Sequence, residues 1–181
     1  MISYNLEPAD YLTYQLFMAS KSKQIRTKRR RNWLLIPCIY IIFAALAFYF
    51  GKQKNIALVF SILAGSWLII YPFYTRWIYK DKFKKAIIKN NKEIFGKVIS
   101  LKIDGDKFII NDTINKKTNL LSEITVIQEI SSHFFVKLSK GSSIIIPKQD
   151  STKIKEVNTF IFELSKSSRI KVSKELDWKW R

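Results

Sequence analysis

The chain has 181 residues and a net charge of +18, with 48% apolar and 14% aromatic residues. That apolar share excludes a disordered chain, which could not bury enough surface to offset its ordering entropy. A single cysteine, Cys38, excludes an intrachain disulfide; it lies inside an apolar run and reads as a small buried apolar residue.

In chain order, residues 1–32 read as a basic amphipathic arm. A helix is expected from Pro8, a favoured first helical position, with Leu12, Leu16 and Ala19 on one face. Cations then gather: Lys21, Lys23, Arg26, Lys28, Arg29, Arg30 and Arg31. Such a segment would lie along a membrane surface or continue into the next element as one helix. A nucleic-acid arm is the competing reading of the basic run. The apolar segment beside it makes lipid the better anion, and nucleic acid is not an expected partner.

Residues 33–50 and 56–74 are uncharged runs of 18 and 19 residues, each about long enough to cross a bilayer core of roughly 30 Å as a helix. GKQKN joins them, which leaves room only for a tight helical hairpin over 33–74. The linker 75–92 carries seven more cations: Arg76, Lys80, Lys82, Lys84, Lys85, Lys89 and Lys92. The turn between the runs carries two, Lys52 and Lys54. Positive charge marks the cytoplasmic side, so both termini are expected there, in a bacterial inner membrane. Arg26, Lys28 to Arg31, Arg76, Lys80, Lys82, Lys84 and Lys85 would meet anionic lipid head groups, and Trp33, Tyr74 and Trp77 would sit at the interface. Pro37 and Pro72 fall near span ends. Ala57, Ser61 and Gly65 recur every fourth residue, a small-residue stripe for close helix packing. It would face the first span or a second copy of the chain.

From residue 93 the pattern alternates. Ile99, Leu101 and Ile103 mark a strand, Asp104–Gly105 a hairpin turn, and KFIINDTI a second strand. TNLLSEITVIQEI reads as a long third strand bent near Ser122, HFFVKLS as a fourth and SIIIPK as a fifth. Asp150 would cap a helix running to about Leu164, with Ile154, Val157, Ile161 and Leu164 on its apolar face. The expected fold is therefore an α+β membrane protein: an N-terminal helix, a hairpin, and a β-module of about five antiparallel strands over 93–166, closed by one helix. Residues 167–181 read as a basic-aromatic tail, with Trp178 and Trp180 suited to a membrane interface.

GKVISLKIDGDKFII, LLSEITVIQEISSHFFVKLS and SSIIIPK together resemble the YcxB-like bacterial membrane proteins, over nearly the whole chain. The most specific pieces are Leu121–Ile124 and Ile145–Lys148; many members carry Trp where this chain has Leu121. The resemblance implies an arm, two spans and a C-terminal domain of pleckstrin-homology-like build. It implies no activity.

Chemistry is sparse. His133 is the only histidine, and with a lone membrane-buried cysteine it makes no metal set and no Cys–His pair. Glu123 and Glu129 share a strand face and read as solvated charges. No cofactor and no enzymatic activity are expected. The functional expectation is a membrane protein that presents its β-module as a binding module, with a protein partner or homo-oligomer possible in principle. The alternative is a small accessory subunit of a larger membrane complex, with the spans carrying the specificity.

Overall fold

The computed structural model describes residues 1–91 (backbone alone at 90 and 91), 95–112, 116–148 and 153–180. They form two compact units: Met1–Tyr14 with Lys84–Lys179, and Gln15–Phe83 with Trp180–Arg181.

The first unit is α+β. Its first strand, β1 (Ile2–Asn5), was not expected. Ile2 and Tyr4 point inward while Ser3 and Asn5 point out, and β1 pairs antiparallel with β2 (Val98–Asp104), Tyr4 opposite Ile99. The N-terminal segment thus belongs in part to the β-module rather than wholly to a separate arm. β2 turns through Gly105 and Asp106 into β3 (Lys107–Asp112), with Asp104 opposite Lys107. Gly105 takes φ +60°, the positive φ that this two-residue hairpin needs at its first central position. β4 (Lys116–Leu120) completes a sheet of order β1-β2-β3-β4.

The expected long third strand is two strands. One 3₁₀ turn at Leu121–Glu123, whose Leu121 is buried, separates β4 from β5 (Ile124–Ile130) and moves the chain into a second sheet. There β5 pairs with β6 (His133–Leu138), and β6 with β7 (Ser143–Pro147). Asp150 lies outside the described residues; helix α4 covers Ile154–Ser168 and buries Val157, Phe160, Ile161 and Leu164. Each such side chain is worth about 1.5–3 kcal/mol of burial. The module does not end with this helix. Arg169 adopts a left-handed cap at φ +58°, and the expected tail supplies β8 (Val172–Glu175), parallel to β5. The described residues thus hold eight strands rather than five, in two four-stranded sheets with order β7-β6-β5-β8 in the second.

His133 is buried in the same unit. Its Nε2 lies 2.9 Å from Asp10 Oδ1 and its Nδ1 2.8 Å from Ser132 Oγ, and its ring stacks on Phe135. The other Asp10 oxygen accepts the Glu7 amide at 2.7 Å, at the start of helix α1 (Pro8–Lys21). Glu129 is not a solvated charge: Lys148 donates to it at 2.7 Å and to the Ile130 carbonyl at 2.8 Å, while lying over the Phe134 ring. Glu123 pairs with the exposed Lys140.

The second unit is helical. After Ser22 caps it, α2 runs from Lys23 to Tyr49, so the basic run and the apolar run form one helix. α3 runs from Lys54 to Asn91, so 75–92 is helix rather than linker over its described length. Both are long and apolar enough to cross a membrane, and only 11% of each apolar window is buried. Cys38, expected buried, is exposed. Pro37 lies well inside α2, not in its first turns.

Where α2 and α3 meet, Ala57, Ala64 and Tyr71 are buried at spacings of seven, with Ala44 and Pro37 buried on α2 and Phe60 stacked on Phe43. Of the two faces expected for the small-residue stripe, the first span does not take it: only Ala57 is in the seam, while Ser61 and Gly65 are exposed, and a Cβ at Gly65 would meet nothing within 4 Å. Near the other end, Pro72 has no N–H, so the Leu68 carbonyl loses its usual helical donor. The Trp33 indole N–H donates to that carbonyl at 3.0 Å.

Two predictions follow from these contacts. Removing either member of the buried pair, by His133→Ala or Asp10→Ala, strands the other and should destabilise the chain by about 1–3 kcal/mol in chemical denaturation. In detergent, Ala64→Leu should lower hairpin stability by about 1–3 kcal/mol through overpacking, whereas Gly65→Leu should leave it unchanged or raise it, because Gly is the poorer helix former.

Candidate functional site

The β-rich unit holds a cleft of about 240 Å³. Strand pairing builds one wall. Tyr4 lies opposite Ile99, and Ile99 opposite Asp112, so the three side chains share one face in a row across β1, β2 and β3. Lys117 lies opposite Ile110 on the same face, and Asn119 follows two residues on. Leu6 and Tyr11 come from the N-terminal segment, Leu138 from β6, and Ser142 to Ile145 from the start of β7.

A core-facing side of a sheet ordinarily carries apolar residues. Here it carries an acid, a lysine and an amide where β3 and β4 face the cleft. Among the described residues, three of the six side-chain polar atoms buried without a partner converge here: Tyr4 Oη, Asp112 Oδ1 and Ser143 Oγ. All three residues line the cleft. Burial, then the neighbouring Tyr11 and Asp10, pushes the Tyr4 hydroxyl far above the ordinary tyrosine range. Burial, then Asp112 and Asp10, raises Tyr11 as well. Both phenols therefore stay protonated at neutral pH and act as donors rather than bases. The cleft has apolar walls of isoleucine and leucine and a few convergent hydrogen-bonding groups, the chemistry of a binding pocket.

The Ser132–His133–Asp10 chain has the residue types of a catalytic relay. Asp10 is occupied by both the Glu7 amide and His133, however, and neither Ser132 nor His133 lines the cleft. Its geometry is that of a clamp. Among the described residues no three His, Cys, Asp or Glu side chains gather as a metal site would require.

The expected lipid-facing residues lie on α2 and α3, apart from Trp178 and Trp180 after β8; Lys84, Lys85 and Trp178 fall in the first unit and the others in the second. Arg26, Lys28, Arg30, Arg31, Lys80, Lys82, Lys84 and Lys85 are exposed, as are Trp33, Tyr74 and Trp77. Arg29 and Arg76 are half-buried. Trp180 is not a free interfacial residue: its indole N–H donates to the Arg76 carbonyl at 3.2 Å, its ring meets Tyr79, and the Arg29 guanidinium lies 5.0 Å from its centroid. Trp178 is half-buried in the β-rich unit, where its amide donates to the Glu175 carbonyl.

Sequence reading missed the cleft. Tyr4 and Asp112 are 108 positions apart, and only an N-terminal strand brings them together. The available signal was the alternation Ile2, Tyr4, Leu6 before Pro8. Comparison with protein-family models, curated proteins and solved structures finds no match.

A buried hydroxyl with no partner costs free energy in the empty protein. Tyr4→Phe should therefore raise unfolding free energy, by about 1 kcal/mol, in chemical denaturation of the purified chain. A loss of stability would mean the hydroxyl has a structural partner.

Proposed function

We propose that this is a two-span membrane protein of the bacterial inner membrane, with both termini cytoplasmic, whose β-rich unit works as a binding module at the membrane surface. The observation that carries the binding role is the convergence of Tyr4 Oη, Asp112 Oδ1 and Ser143 Oγ, buried and unpartnered, on one cleft. Evolution retains such groups at a cost in stability where a ligand satisfies them. The membrane role is supported by the 11% burial of each apolar window. A core helix of a soluble protein would be covered, and exposed apolar surface on this scale is what lipid or a partner protein covers. The orientation rests on the excess of cations at 21–31 and 75–92 over the two at the turn.

The YcxB-like resemblance and the pleckstrin-homology-like build are part of the same proposal. The sheets formed by β2 to β4 and by β5 to β7, followed by an amphipathic helix, support them; β1 and β8 would be additions to that plan. The role proposed is non-catalytic, because the cleft offers protonated phenols and no nucleophile paired with a base.

A second reading, an accessory subunit of a larger membrane complex, is favoured by one feature. Ser61 and Gly65 leave a small-residue face of α3 open, where a partner helix could approach closely. A stoichiometric integral partner on purification from detergent would favour this reading.

Topology gives the direct test, in a Cys38→Ala background. Gln53→Cys should react with an impermeant thiol reagent on intact spheroplasts. Ser142→Cys, at the cleft, should react only in inside-out vesicles. The reverse labelling would contradict the orientation, and reaction of both in soluble extracts would contradict membrane residence.

A further inference from the structure

At the basic end of the hairpin, α2 and α3 enclose a second cavity of about 280 Å³, contained wholly in the helical unit. Its wall combines three cations, Lys28, Arg29 and Lys82, with an aromatic and aliphatic side. No carboxylate lines it.

Arg29 is the unusual member. Its guanidinium is half-buried and stacks on Trp180, yet among the described residues it has no acidic partner. Arg76 is close enough to act on it as a like charge, and its Nε is buried without a hydrogen bond. A half-buried guanidinium beside another, with nothing negative to answer them, is an electrostatic debt that an anion would cancel. Burial lowers the Arg29 pKa, Tyr79 and Tyr71 oppose that effect and Arg76 adds to it; the group stays charged at neutral pH. The Trp67 indole also lines the cavity, and its N–H is buried with no acceptor. The cavity thus presents cations at one end and apolar surface, Trp67 included, beside them. Arg29 precedes the first apolar run by four residues, and Lys82 follows the second by eight.

We propose that this cavity is a binding site for the phosphate of one anionic phospholipid, held by Arg29, Lys28 and Lys82. The inference rests on the two-span reading, which puts these residues at head-group level, and goes beyond a diffuse basic surface. Arginine suits a phosphodiester because its planar fork donates two parallel hydrogen bonds, and basic pockets between helices on the cytoplasmic side take anionic head groups.

The test uses the full chain purified in a neutral detergent, with binding read by native mass spectrometry and by thermal stability. Phosphatidylglycerol should bind at one molecule per chain and raise the melting temperature; phosphatidylcholine should do neither. Arg29→Gln should weaken phosphatidylglycerol binding by about tenfold or more. Lys102→Gln with Lys174→Gln removes two exposed cations from the β-rich unit and should leave binding unchanged. Equal weakening in the Lys102/Lys174 variant, or equal binding of phosphatidylcholine, would overturn the site. If inorganic phosphate protects as well as the lipid, a soluble phosphate is the ligand, and the lipid assignment fails. Normal two-span labelling in cells with no lipid selectivity on the purified chain would remove the site and leave the architecture standing. Selective lipid binding with abnormal labelling would do the reverse.

Discussion

The hydrogen bond from the Trp33 indole to the Leu68 carbonyl fixes how the two long helices lie against each other. Its origin is chemical. Pro72 cannot donate, so one carbonyl of α3 is left open inside an apolar stretch, where an unpaired carbonyl is costly. Trp33 supplies the missing donor from the neighbouring helix, and Thr75 returns a bond to the Pro72 carbonyl at 3.1 Å. With residue 33 level with residue 68, antiparallel geometry sets Phe43 against Phe60, and the long Arg29 side chain reaches the Tyr79 ring. A proline that would ordinarily weaken a helix here specifies a register.

That register gathers charge as well as apolar surface. Arg29 meets Tyr79 and Trp180, with Arg76 nearby, at one end of the hairpin. Two guanidiniums held this way cannot spread into solvent as Lys84 or Arg31 can. In the proposed orientation, the exposed cations supply non-specific attraction to an anionic leaflet, worth about 1 kcal/mol each near the surface. At the proposed lipid site, the half-buried arginines would supply geometry, and so selectivity.

In the β-rich unit the corresponding tension is between a packed core and an unfilled polar cleft. Leu101, Phe108, Ile127, Ile146 and Val136 are almost completely buried and well suited to stabilise two sheets. The His133–Asp10 pair ties the start of α1 to β6 with both Asp10 oxygens in use. Against that background the unanswered groups on Tyr4, Asp112 and Ser143 stand out, since a core built only for stability would carry apolar residues there.

Local signals were legible in the sequence wherever the physics is local. The uncharged runs, the Asp104–Gly105 hairpin, the period of Val157, Ile161 and Leu164, and the start of α1 at Pro8 all depend on neighbours a few residues away. Where pairing is long-range, sequence reading fell short. Val172–Glu175 looks like a polar tail because an edge strand has only one face to bury. Leu121 bends the chain through a single turn too short to leave a period. The every-fourth spacing of Ala57, Ser61 and Gly65 was real, but Pro72 and Trp33 set a rotation that puts Ala57, Ala64 and Tyr71 in the seam instead. Candidate cations were identifiable by type, whereas the two that are half-buried, Arg29 and Arg76, could be told from the rest only by their surroundings.

The claim on which the account turns is that α2 and α3 form one hairpin whose outer surface faces lipid. A nitroxide scan of residues 56–74 in reconstituted liposomes measures this directly, by collision with oxygen and with a water-soluble relaxant. Oxygen accessibility should follow a helical period, highest at Leu58, Val59, Ile62 and Ile69 and lowest at Ala57, Ala64 and Tyr71, with the relaxant excluded throughout the run. Relaxant access at Ile62 or Ile69, or a protected face centred on Ser61 and Gly65 instead of Ala57 and Ala64, would contradict it.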